Sequence, residues 1–441
     1  MHLLGSFTHQ TCHRGSNVGW PLRSVLQCAP KWSYSGRGEV EFRLASRYGG
    51  RLPLVSIARL RVRTFRVSKT MRRFVITAIL ASLVSSCGSH SRTIIVGREI
   101  LIPDVQPRVD AIARTRDGGF IITGFGVSAW VIATDSHGSP VWRFSDPIDQ
   151  TIDTGSPSVP QSEFHGAVSL ANGNTLLCGG KYKGGQTQNL LAMLDPNGRL
   201  IEKRVQVPND DPRLIYSNFY QCFPWQDGIL LLGNTNDGKH AYIWLVELDA
   251  DGVLKRQSFV DESPPVAAGS AVGPSFVFTA WDSQDSVRVI RTNEKGETIA
   301  RRVIAGEFVV QLRSVVETRK TSLLIYRSER ATLYTLDEHL QDLVAPKAIK
   351  GYFDPQAGRG YVLVDGSIVL FGRSSNATVA LIDQRGSTQV SRAFGPQYPS
   401  LAVNDAVPVS SDEFVTVRGS VSQDPRDQGL VMSWLTIKEG N

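Results

Sequence analysis

Asp117-Gly118-Gly119-Phe120-Ile121-Ile122-Thr123-Gly124, then Ala129-Trp130-Val131-Ile132-Ala133-Thr134 running into Asp135-Ser136-His137-Gly138, is the stretch that decides the fold. It holds two apolar runs, each bounded by Gly and Asp. Runs of this length with such punctuation read as buried strands. Asp accepts hydrogen bonds from backbone N–H groups at the start of a turn, and Gly three residues on supplies positive φ. The same text returns downstream. Asn172-Gly173-Asn174 precedes Thr175-Leu176-Leu177-Cys178-Gly179, and Leu190–Leu194 leads into Asp195-Pro196-Asn197-Gly198. Asp227-Gly228 precedes Ile229–Gly233, and Ile243–Leu248 leads into Asp249-Ala250-Asp251-Gly252. Weaker copies end at Gly296, at Leu340 (Leu where Gly is expected), at Gly386 and at Gly440.

The last turn position thus falls at 138, 198, 252, 296, 340, 386 and 440, seven units with a core step of 44 residues. That is the spacing of a four-stranded propeller blade. One blade cannot bury both faces of its sheet, whereas radial stacking can, and ring closure protects the edges. The expected fold is all-β: a seven-bladed β-propeller of four-stranded antiparallel blades over residues 101–441. The strand-like run Arg92-Thr93-Ile94-Ile95-Val96 is expected to close the last blade, because the chain ends just after Trp434-Leu435-Thr436-Ile437. A β-sandwich is the alternative, and the even spacing of the copies argues against it.

Charge divides the chain. The whole carries a net charge of +7. Residues 1–70 alone hold 12 Lys and Arg against Glu39 and Glu41, and residues 71–86 add Arg72 and Arg73, so residues 87–441 are net acidic by 5. A basic chain invites a nucleic-acid reading. Here the excess lies outside the repeat body, which removes that reading.

Met71-Arg72-Arg73 followed by the apolar run Phe74–Val84 has the form of a signal peptide, and the run is too short to span a bilayer. It ends in Val84-Ser85-Ser86-Cys87, which resembles the bacterial lipobox. The resemblance implies diacylation of Cys87, cleavage before it and acylation of the new amino group, giving more than the single chain that anchors only marginally. Gly88 stands where that family's inner-membrane retention signal places Asp, which implies an outer-membrane address in the cell envelope. Residues 71–86 are therefore read as the signal and residues 87–100 as a lipidated tether and the start of the closing strand. Residues 1–70 carry no sustained period; they are read as a spurious, disordered extension ahead of a start at Met71, with an organelle transit peptide as the alternative. With Cys12 and Cys28 in that stretch and Cys87 lipidated, Cys178 and Cys222 remain. They read either as a disulfide allowed in an oxidising compartment or as two buried small hydrophobes.

The repeats resemble those of exported bacterial propellers with the pattern Asp-Gly-Gly-aromatic-aliphatic-aliphatic-x-Gly. In this class the resemblance implies architecture and says little about activity.

Counting seven residues back from each Asp117 position reaches the start of an inner strand. The occupants are Asp110, His165, Tyr220, Arg313, Gly358 and Asn404, with Val266 from a weakly aligned unit. Such positions would ring one mouth of the central channel, as a solvated rim or as a site for a polar ligand. The Asp-x-Asn/Asp-Gly turns resemble fragments of calcium loops, but the terminal Glu of a full loop is missing, so they read as hairpin turns and no metal or cofactor is expected. HExxH, GxSxG, a Walker A loop and paired CxxC are absent from the sequence. Two long connections, 145–162 and 205–217, read as binding insertions or as decoration. The expected function is a membrane-anchored, non-enzymatic binding scaffold for a protein, peptide or glycan. The alternative is an envelope enzyme acting on a glycan or other substrate in the channel.

Overall fold

The computed structural model describes residues 31–35, 39–43, 57–61 and 92–439, the last without 106–107, 149–159, 184–185, 207–215, 238–239, 263–265, 273–274, 284, 316–318, 328–329, 351–358, 373–376, 395–402 and 421–427. The signal-like segment 71–86, Cys87, Gly88, Gly358, Gly440 and most of both long connections lie outside the described residues. The chain divides into two compact units, residues 1–89 and 90–441. In the first, Lys31–Ser35, Glu39–Arg43 and Ile57–Arg61 pair in order as a three-stranded antiparallel meander. No helix among the described residues is long and apolar enough to cross a membrane.

The second unit is all-β: five four-stranded antiparallel sheets and one eight-stranded sheet, curled in a propeller-like arrangement. The first sheet sets the pattern, running outward through Val109–Arg114, Phe120–Phe125, Ala129–Thr134 and Pro140–Ser145. Phe120–Gly124 and Ala129–Thr134 are buried along their whole length, while Pro140–Ser145 is nowhere fully buried. A strand covered on both faces must be apolar at every position, which is why the decisive stretch shows continuous rather than alternating hydrophobicity. The eight-stranded sheet is two such units whose inner strands, Phe308–Ser314 and Arg359–Val362, pair in parallel through Leu312 and Gly360.

The hydrophobic core is correspondingly divided into clusters, each shared by two consecutive sheets or, in one case, by the two halves of the eight-stranded sheet. Ile121, Val131, Phe164 and Leu177 join the first sheet to the second, and Leu230, Ile243, Phe276 and Ile290 join the third to the fourth. Another cluster joins the last sheet to the first, through Val415 and Leu430 against Ile112, Phe120 and Ile132. Neither sheet of a pair could keep these side chains from water alone.

The hairpin turns repeat one chemistry. Asp135 Oδ1 accepts the backbone N–H groups of His137 and Ser139, both at 2.8 Å. Asp195, Asp249, Asn293, Asp337 and Asp383 do the same in their own turns. The accepted N–H groups hold the Asp135 and Asp337 carboxyls below the usual range. Gly138, Gly198, Gly252, Gly296 and Gly386 take positive φ, and so does Leu340, at 60°. Leu keeps this costly conformation because its side chain is fully buried among Val309, Leu323 and Leu336.

The last sheet contains Asp405–Pro408, Glu413–Ser420 and Gly429–Glu439, and its fourth strand is Arg92–Pro103 from the start of the unit. Its pairing runs from Glu439 with Arg92 to Gly429 with Pro103. Ile94 and Ile102 are buried, and Glu99 forms an ion pair with the fully buried Arg418 two strands away.

Candidate functional site: a polar mouth on the inner strands

In the first three sheets the inner strand carries a β-bulge at one shared place. The register slips between Val109 and Ala111, across His165 between Phe164 and Gly166, and between Phe219 and Gln221. The residues left unpaired are Asp110, His165 and Tyr220, three of the positions read from the sequence. A bulge bends its strand and re-aims the extra side chain. The repeated Gly at the end of the motif makes room for it. A Cβ at Gly124, Gly179 or Gly233 would lie 2.2, 1.9 or 2.3 Å from the carbonyl oxygen of Arg108, Glu163 or Asn218. In each case that carbonyl belongs to the residue two before the bulge. The glycine that ends the motif is thus a condition for the mouth.

The three bulged side chains meet across sheet boundaries. His165 Nδ1 is 2.7 Å from Asp110 Oδ2, and the imidazole stacks on Tyr220 at 5.7 Å between ring centroids. His165 Nε2 is 2.9 Å from Glu163 Oε2, and the Asn218 amide lies 3.3 Å from the same nitrogen. Burial by itself would lower the pKa of His165. The hydrogen bonds and negative charges of Asp110 and Glu163 outweigh it and raise the pKa to about 9. At neutral pH the ring is therefore an imidazolium donating to two carboxylates. Glu163 and Asn218 were not singled out from the sequence. Each is two residues before a bulged one, so strand alternation from His165 and Tyr220 was the signal that could have found them.

The remaining positions divide. Asn404 lies just ahead of the inner strand of the last sheet, where its Oδ1 accepts the Gly419 N–H at 3.2 Å. It therefore serves its own sheet, and its neighbour Asp405 makes the contacts between sheets. Asp405 accepts the Ile112 N–H of the first sheet at 3.1 Å and pairs with Arg359 Nε at 2.7 Å. Asp405 is buried, and its charge is the main influence keeping Arg359 protonated, with Asp110 adding to it. Arg313 is a correction. It is the sixth residue of the seven-residue strand Phe308–Ser314, at the far end from the level of Asp110, the second residue of its own strand. That strand pairs with Thr321–Arg327 without a bulge, and the connection after it is longer than in the first sheet, so counting back seven from the turn stops short of the mouth. The guanidinium of Arg313 instead acts on the buried Tyr361, whose hydroxyl donates to Ala406 O at 2.5 Å. In the fourth sheet the bulge falls at Ala267 rather than Val266.

Cys178 and Cys222 are joined as a disulfide between the second and third sheets. A Cβ at Gly166 would lie 2.9 Å from the Cys222 sulfur, so the strand carrying His165 packs directly on the bridge. Among the described residues there is no group of three His, Cys, Asp or Glu side chains placed to hold a metal ion.

No protein-family model matches the chain, and no curated protein matches it. Among solved structures, the chain is similar to the Dos1 propeller, with 9% identity, a TM-score of 0.52, and coverage of 79% of this chain and 95% of that one. A protein of unknown function from Dyadobacter fermentans aligns at 11% identity and a TM-score of 0.43, over 78% of this chain and 99% of its own. Sqt1 from Chaetomium thermophilum aligns at 13% identity and a TM-score of 0.42, over 77% and 90%. The likeness to the Dos1 propeller, at this identity, is one of fold: a curled, propeller-like all-β body.

Proposed function

We propose that the chain is an envelope lipoprotein, acylated at Cys87, whose β-propeller is a non-enzymatic scaffold binding a protein, peptide or glycan partner at the mouth formed by Asp110, Glu163, His165, Asn218 and Tyr220. In this reading the propeller has seven blades. The two halves of the eight-stranded sheet count as two of them, and Arg92–Pro103 is the outer strand of the last. The core cluster between the last and first sheets supports closure. The disulfide supports an oxidising compartment outside the cytosol.

The observation that carries the proposal is the mouth itself. Consecutive inner strands each spend a bulge and a glycine to aim one polar side chain at a shared place. A solvated rim needs no such device. An imidazolium whose two N–H groups are both taken by carboxylates is poorly placed to act as a proton-transfer base, which favours recognition over catalysis.

The test is co-purification from solubilised envelope, followed by mass spectrometry, with the unsubstituted chain and with Asp110→Asn/Tyr220→Ala. A stoichiometric protein or glycan lost from the variant while its fold is retained supports the scaffold. A partner kept by the folded variant removes this site, and a bound cofactor or substrate turnover would favour the enzyme reading.

A further inference from the structure

In each four-stranded unit the strands alternate in direction, so the turn after the inner strand and the turn after the third strand share one face. In the first sheet these are the turns at Asp117 and Asp135, whereas Asp110 and the 126–128 hairpin belong to the opposite face. The N-terminal strand takes the outer place in the last sheet and pairs Arg92 with Glu439, so it enters at the turn face. An ion pair fixes this end: Arg92 Nη1 is 3.0 Å from Asp365 Oδ2, in the first turn of the preceding unit. Cys87 is five residues ahead of Arg92. Five extended residues reach at most about 18 Å.

The exposed large hydrophobics follow the same polarity. Val141, Ile201, Leu254 and Ile299, each within three residues of a turn glycine or one strand position beyond it, are 64%, 53%, 47% and 51% exposed, and Val364 in the Asp365 turn is 64% exposed. Val141, Ile201 and Ile299 recur at one matching place in their sheets, with Leu254 one residue earlier in its own. Toward the mouth the exposed large hydrophobics among the described residues are Val127, Ile148, Phe259 and Val303, the last two at the bulge level of their outer strands, whereas Leu200 and Val253 add to the larger set beside the turns. A repeated apolar rim on one face of a soluble fold marks a surface meant to be covered.

From this we infer that the turn face lies on the bilayer, with Val141, Ile201, Leu254, Ile299 and Val364 seated at the headgroup–acyl boundary, and that the Asp110–His165–Tyr220 mouth points away from the membrane. The inference rests on the acylation of Cys87 proposed above and adds the orientation that acylation alone does not set. The occupant is a lipid surface rather than a protein because the anchor's short reach brings the turn face to the bilayer. Burying the rim there costs no partner and adds apolar contact to the acyl chains.

The test uses the full acylated chain in vesicles of phosphatidylethanolamine and phosphatidylglycerol containing brominated lipid. An environment-sensitive fluorophore is placed at Ile201→Cys, Val364→Cys or Val127→Cys, with the intact mass of each product measured. All three sites are exposed, so the labels leave the core untouched, and circular dichroism checks the fold. The expected result is several-fold stronger quenching at positions 201 and 364 than at 127. Acylated protein with equal quenching at all three positions, or with the stronger quenching at 127, overturns the orientation and leaves the lipoprotein reading standing. A mature chain without acyl mass on Cys87 overturns both.

Discussion

Replacing Glu99 by Gln removes one charge from the place where the N-terminal strand is locked into the last sheet. The Arg418 side chain is 0% exposed and Glu99 is 11% exposed. Ser433, on the strand between them, donates to the same carboxylate oxygen at 3.1 Å, and the guanidinium lies 4.9 Å above the Phe394 ring. The surroundings keep Arg418 out of water whether or not its carboxylate is present. Breaking a buried pair by removing one partner costs about 3–5 kcal/mol, because a buried charge is left without compensation. For a unit of this size that is roughly 2 °C per kcal/mol, hence a fall in Tm on the order of 6–10 °C. Urea unfolding followed by tryptophan fluorescence reads the loss, and Trp434, 4.1 Å beneath Arg98 on the same strand pair, reports locally. The companion variant Glu99→Leu/Arg418→Met replaces the pair with apolar side chains. It should cost less than Glu99→Gln alone, since swapping a whole buried pair for hydrophobic groups is often close to neutral. A loss below about 1 kcal/mol for Glu99→Gln, or strict additivity in the cycle, would refute the reasoning. Either result would mean that the strand is held by its ladder and by Ile94 and Ile102 alone.

Three further outcomes follow from the same contacts. Cys178→Ser with Cys222→Ser should destabilise the unit by about 4 kcal/mol, the loop-entropy value for the separation of 44 residues, measured by urea unfolding against the oxidised parent. Because the folded pKa of His165 is raised to about 9 from 6.5, its contribution is fully present below pH 6.5 and is lost as the pH rises through 9. The stability difference between the parent and His165→Gln should therefore shrink by on the order of 3 kcal/mol between pH 6 and pH 10, and a pH-independent difference would contradict the paired imidazolium. Leu340→Gly relieves roughly 1–2 kcal/mol of left-handed backbone cost but empties a fully buried site worth roughly 3–5 kcal/mol, so thermal unfolding should show a net loss although every sister turn with a described residue at this place carries Gly.

Much of this protein is legible in short stretches of its sequence. The Asp caps, the positive-φ glycines and the continuous apolar runs each act within a few residues, so the repeated strand units could be read before any contact was known. The same counting placed Asp110, His165 and Tyr220 at equivalent points, because the first three units keep the seven-residue step from the bulge to the turn Asp or Asn and the motif glycine. The count stops at Arg313 because the connection to the next strand is longer in its unit, which also has neither the bulge nor the glycine: Ile325 stands opposite Val309 in unbroken register. Leu340 shows the converse, a turn whose backbone conformation survives the loss of its Gly because burial compensates. What only the tertiary structure decided are the meetings between sheets: His165 with Asp110 across 55 residues, Arg359 with Asp405 across 46, and Ile112 with Asp405 across 293. The same holds for the choice between a bonded and an unbonded Cys178–Cys222 pair. No local period encodes such partners, since each is set by which sheets become neighbours when the apolar faces are buried, and a bulge of one residue is enough to turn a side chain from its own sheet toward the next.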